Sequence, residues 1–246
     1  MNRLFIITLL ISQILLGQEP KKEANSILLS INHSFQIPGG DMKKRFGTNS
    51  DLSVSLIHKG SKNYILNLEI GAIFGGNVKE NNLFDPIDGN NGVLISANGE
   101  IPIIRLFERG AHLDINFGKY FPITTQKYES GIIISVGGGY MYHKIFIETI
   151  TTQLPQLTDE LLKGYDRLCG GLLTKQFIGY YYFSNKNNIR FFLGIEAIQG
   201  FTKDLREYNY TSQTYNTNKR IDHLIGLKCG FIIPIKKRQT GKYYYY

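Results

Sequence analysis

Ala111-His112-Leu113-Asp114-Ile115-Asn116-Phe117 decides the fold. Every odd position is apolar and every even one is polar or ionisable. Side chains of a strand point alternately to its two faces, so this segment has one apolar and one hydrophilic wall. The same period runs outward in both directions. Ile27, Leu29, Ile31, His33, Phe35 and Ile37 alternate with Ser30, Asn32, Ser34 and Gln36. Leu52, Val54 and Leu56 alternate with Ser53 and Ser55, and Tyr64 to Phe74 alternates around Asn67, Glu69 and Gly71. Ile132 to Tyr142, Ile189 to Ala197 and Ile221 to Ile235 repeat the pattern, and 169–183 is strand-like with ambiguous faces. Most of these runs exceed nine residues. Globular strands average five or six, whereas about 9–11 residues cross a bilayer at a tilt.

Composition agrees. The chain has 246 residues, 42% hydrophobic and 20% charged, which excludes a disordered chain and suffices for one sizeable domain or two small ones. Sixteen Tyr and 15 Phe with no Trp favour strands. Asn2-Arg3, the apolar run Leu4 to Leu16 and then Gly17 have the shape of a secretory signal peptide with cleavage before Gln18. Net charge is +8, and +7 for 18–246, because Arg3 is the one ionised side chain in 1–17. No later stretch approaches 18 uninterrupted apolar residues, so an exported chain of this kind is a soluble β protein or an outer-membrane barrel.

Loop lengths separate the two. Outer-membrane barrels have short periplasmic turns and long external loops. Segments 59–63, 122–130 and 184–188 are short, while 38–51, 75–109, 148–168 and 201–219 are longer. The alternation predicts an all-β, single antiparallel transmembrane β-barrel of eight strands. Ten strands is the alternative if Gly92–Ile104 is a strand; Pro102 opposes it, since a central strand needs the missing N–H. Tyr180-Tyr181-Tyr182-Phe183, Tyr64 and Phe121 flank the short turns as an interfacial girdle would. Thr158–Lys163 predicts a short helix with Thr158 as N-cap and Gly164 as its stop. The expected organisation is a signal peptide over 1–17, a periplasmic segment over 18–26, the barrel over 27–235 and a basic, tyrosine-rich tail over 236–246.

The signal peptide, the long alternating strands and the Gly-rich aromatic last strand resemble small outer-membrane barrels of Bacteroidota type. Arg105-Leu106-Phe107-Glu108-Arg109-Gly110 and Gly164-Tyr165-Asp166-Arg167-Leu168 look like family signatures without assigned chemistry. Gly226–Ile235 is similar to the terminal strand read by the barrel-insertion machinery, but eleven residues follow it. The resemblance implies residence in the cell outer membrane, contact with outer-membrane lipid and lipopolysaccharide, and a structural, accessory or interaction role, attached to an envelope or secretion complex.

Chemical motifs are few. The chain has no GxSxG, HExxH, CxxC or P-loop, and Gly137-Gly138-Gly139 lies in a strand, where it relieves crowding or makes a bend. No catalytic residue, cofactor or metal site is assigned. A lipid A acyl hydrolase is an alternative because His33 and His223 share the lipid face on the first and last strands; a narrow pore is another. Lys43-Lys44-Arg45 is either a solvated loop or a contact for lipopolysaccharide phosphates. Nucleic acid is excluded for an exported chain despite its basic balance. Cys169 and Cys229, one strand apart, are expected to be free thiols, since two strand spacings of about 10 Å exceed disulfide reach.

Seven charges fall on inward faces: Glu69, Asp114, Lys175, Arg190, Glu196, Asp222 and Lys228. Their near-balance predicts paired charges in a filled lumen, coupling Arg190 or Glu196 with Lys228 or Asp222. Lys236, Lys237, Arg238, Tyr243, Tyr244, Tyr245 and Tyr246 form a candidate interaction tail.

Overall fold

The computed structural model describes residues 26–60, 62–80, 82–87, 94–96, 98–123, 130–150, 154, 157–183, 190–215 and 219–236. The signal segment, most of the periplasmic segment and the tail from Lys237 onward lie outside the described residues. Eight long strands make the wall: β1 (Ser26–Gly40), β2 (Asn49–Lys59), β3 (Tyr64–Gly75), β4 (Ile104–Pro122), β5 (Gly131–Thr149), β6 (Cys169–Phe183), β7 (Arg190–Asp204) and β10 (Lys219–Lys236). Each pairs antiparallel with its sequence neighbour, and β1 pairs with β10 to close the ring. Closure removes both sheet edges, although the loop-end extensions of β4 and β5 run past their neighbours β3 and β6. Lys236, expected in the tail, ends β10 opposite Ile27.

The ten-strand alternative is excluded among the described residues. Residues 94–96 and 98–103 carry no strand, and β4 starts at Ile104. Strand β4 also absorbs 104–109, which the sequence places in a loop; Glu108 and His112 face inward there, continuing the alternation past the apolar belt. Between β7 and β10, β8 (Tyr208–Asn209) and β9 (Thr214–Tyr215) form a two-stranded ribbon.

Two short helices sit among the long loops: α1 (Met42–Arg45), which the sequence does not announce, and α2 (Asp159–Tyr165). Thr158 caps α2 in extended conformation without a side-chain hydrogen bond, and the helix runs past Gly164. Gly164 is therefore no stop. A Cβ there would lie 1.9 Å from the Tyr210 ring, so glycine lets the ribbon pack on the helix.

The wall is inverted relative to a soluble protein. Ile70, Val136 and Ile225 are each about three-fifths exposed on the outer face and Phe231 more so, while Asp51, Glu69, Asp114 and Glu196 are buried inside. Contiguous exposed apolar surface of this extent marks contact with something other than water. Tyr180 and Tyr64 face out near the short turns as expected, but Tyr181 faces in and is buried.

Candidate functional site

The interior has three storeys. At the short-turn end an apolar plug contains Leu28, Ile57, Ile65, Tyr120, Ile133 and Phe192. Tyr181 stacks on Phe192 with ring centroids 4.7 Å apart. At the loop end Phe46, just after α1, joins Met42, Ile73, Met141, Ile145 and Leu224 in a second cluster, and bridges Val78. The polar storey lies between them.

Its centre is a crossed set of ion pairs. Lys175 on β6 reaches Glu69 on β3 at 2.6 Å, Glu196 at 3.5 Å and Asp114 at 3.6 Å. Lys228 on β10 reaches Glu196 at 3.2 Å and also pairs with Glu69. Each ammonium thus has two or more carboxylates, which offsets the desolvation that an isolated buried charge would suffer. Lys175 spans β5 and β4 to reach Glu69, and the inward residues it passes over on β5 are Gly137 and Gly139. A Cβ on Gly139 would lie 2.0 Å from Leu113 O and 2.7 Å from Asp114 Cβ. The glycine run relieves crowding, as its composition suggests.

Five inward groups beyond the seven expected charges complete the storey. His112 lies between Asp114 (2.6 Å) and Asp51 (3.0 Å). His143 pairs with Asp222 at 3.0 Å, and Asn49 donates to Glu108 at 3.0 Å. Asp51 was legible, since Leu52, Val54 and Leu56 face out and parity turns Asp51 inward. Glu108 is hidden in the sequence because it precedes the regular alternation that starts at Ala111, although β4 extends back to Ile104.

Arg190 stands apart from the central pairs along its strand. It opens β7 opposite Phe183, six residues before Glu196, or roughly 20 Å along the strand. That puts it at the short-turn rim. Of the expected couples, Glu196 with Lys228 is present.

The remaining candidates separate. His33 lies opposite Cys229 and His223 opposite Gly39, six register positions apart on β1 and β10, so roughly 20 Å divides them. Arg45 is no solvated loop residue: it is buried, 3.4 Å from Glu80 and 3.6 Å from Asp204, and donates to Cys169 Sγ at 3.0 Å. Lys44 pairs with Asp41 at 2.8 Å. That contact, then the Ile221 N–H, holds the Asp41 carboxyl below its ordinary value of 3.8. Cys169 faces in and Cys229 faces out, both as free thiols. Asp51, Glu69 and His112 bring ligand atoms within 4.8 Å of one another, but both His112 nitrogens already meet carboxylates and both lysines lean on Glu69. The donor set suits an ion-pair network better than a metal.

No family model and no curated protein sequence matches the chain. Among solved structures it is similar to Ail, the attachment invasion locus protein of Yersinia pestis, in complex with the heparin analogue sucrose octasulfate. That match has 9% identity and TM-score 0.42, over 86% of this chain and 100% of that one. Neisserial surface protein A matches at 11% and 0.41, over 86% and 99%. The outer membrane protein OprG of Pseudomonas aeruginosa matches at 11% and 0.38, over 86% and 97%. Such identities and scores transfer nothing from those proteins, so the reading below rests on this chain's own walls.

Proposed function

We propose that the chain is a non-conducting outer-membrane barrel whose role is structural or interactive, presenting a loop cap to the exterior. The observation that carries this is the inverted wall: an apolar outer face around an ion-paired interior, with an apolar cluster towards each end. Lipid suits such an exterior, and closure satisfies every backbone group within it. The short-turn end faces the periplasm and the long loops face out. Those loops are tied into a cap by Arg45, Glu80, Arg167 and Asp204, and by Arg206 with Asp166 at 2.6 Å. Ile101 and Tyr215 stand exposed on the loops, which favours protein contact over a purely structural role. The tail over 237–246 is a second interaction element, on the periplasmic side. A lipid hydrolase loses support from the separation of His33 and His223, and a pore from the two plugs.

Fractionation tests the reading. The full-length protein is expected in isolated outer membranes, migrating differently boiled and unboiled. Recovery as soluble periplasmic protein with no shift overturns it. Crosslinked pull-downs with and without 237–246 are expected to yield different partners; identical partners remove the tail from the proposal.

A further inference from the structure

Beyond that role, we infer that the outer wall carries a seat for the phosphate of an outer-leaflet lipid, formed by Arg109 on β4 and Lys144 on β5. The two residues are direct partners across the ladder, and both side chains lie on the outer face. Directly opposed like charges destabilise a sheet unless something lies between them. Among the described residues neither Arg109 nor Lys144 makes an ion pair. Arg109 spends one N–H on Glu108 O at 2.8 Å and keeps its other donors. Its guanidinium stands 5.1 Å from the Phe107 ring and 5.7 Å from the Phe146 ring, which hold it against the wall.

Height selects the occupant. Below Arg109 the outer face of β4 is Ala111, Leu113, Ile115 and Phe117, ending at Lys119. Ten residues separate Arg109 from Lys119. At about 3.3 Å per residue and a tilt of about 40°, they stand roughly 25 Å apart along the normal, the height of the apolar band of such barrels. The two cations therefore mark its two boundaries, and Arg109 marks the loop-end one. Lipid headgroup phosphates lie at that level, and a guanidinium beside an ammonium matches a phosphate's charge and oxygen fork. Lys119 has no such arrangement. Its ladder partners are Ile134 and Tyr64, with aromatic rings at 5.6 and 5.9 Å. Arg105, two outward positions higher, has the oppositely charged Glu148 as its ladder partner. Lys43-Lys44-Arg45 does not compete, because Arg45 is buried and Lys44 is paired.

The inference rests on the outer-membrane reading, which fractionation tests separately. Full-length protein in detergent is titrated with bisphosphorylated lipid A and with the same lipid after phosphatase treatment, and bound lipid is counted by native mass spectrometry. Dephosphorylation is expected to weaken binding at least tenfold. R109Q/K144Q is expected to fall to the dephosphorylated level, K119Q to bind as wild type, and R109K/K144R to recover most affinity. A heat-shift gel confirms that each variant is folded. Equal binding of the two lipids by wild type overturns the proposal without any variant. So does undiminished binding by folded R109Q/K144Q. Displacement of lipid A by millimolar inorganic phosphate would show a generic phosphate site, and overturns the lipid as its occupant.

Discussion

Gly71 shows how a missing side chain supports an ion pair. A Cβ there would lie 2.2 Å from His112 Nε2 and 2.6 Å from Asp51 Oδ1, across the space where those two meet. Gly71→Ala is expected to force them apart and destabilise the barrel by about 1–3 kcal/mol, read as a lowered urea midpoint in micelles. Glu69 carries more. It accepts from both lysines and from Ser55. Glu69→Gln leaves two buried ammonium groups with one fewer carboxylate, at a cost of roughly 3–5 kcal/mol. Arg190→Ala, at the rim, is expected to cost less than Glu69→Gln in the same titration; the reverse order would place the buried network elsewhere.

At the scale of elements, the loop containing α1 couples the cap to the wall. Asp41 accepts from Ile221 N at 3.0 Å and from Lys44, anchoring the helix start to β10. Its carboxyl titrates lower folded than unfolded. The anchor is therefore fully present above the ordinary value near 3.8 and is lost as pH falls through the lower folded value. Protease nicking at 41–48 is expected to stay constant from about pH 8 to 5 and to rise only below about 4; Asp41→Asn should nick equally at all these values. Strand β7 decides the fate of the cysteines. Cys169 pairs with Asp204 at one end of it and Cys229 with Leu193 near the other, on opposite faces of the wall. Non-reduced peptide mapping is expected to show two thiols. A charged thiol reagent should label neither in the membrane-inserted protein and both after denaturation, since thiolate chemistry needs water.

Along the barrel axis, an apolar cluster, the ion-paired storey and a second apolar cluster follow one another. Eight strands leave a lumen that side chains can fill, and here two apolar plugs bracket the charges. Planar bilayers are expected to show no stable conductance for the wild type. Phe46→Ala should also stay silent while losing about 3–5 kcal/mol, because the Tyr120–Phe192 plug still blocks the other end. Stable opening by Phe46→Ala alone would mean that the short-turn plug is no barrier.

The sequence by itself determined the wall. Successive strand side chains alternate with a period of two that no packing can change, so strand number, most facing directions and the rhythm of short and long loops were legible in runs such as 111–117 and 221–235. The ladder order followed from short turns, and the separation of the two cysteines followed from that order. Parity also placed six of the seven interior charges where the ion pairs and the His143–Asp222 pair form. Only the tertiary structure decided who meets whom across the lumen. Lys175 meets Glu69 over Gly137 and Gly139, and Arg45 turns inward to Asp204, through distances set by barrel closure and stagger. Those depend on all eight strands at once. Parity assigns a residue to a face, whereas a contact across the barrel also requires its height, and height is a property of the closed ring.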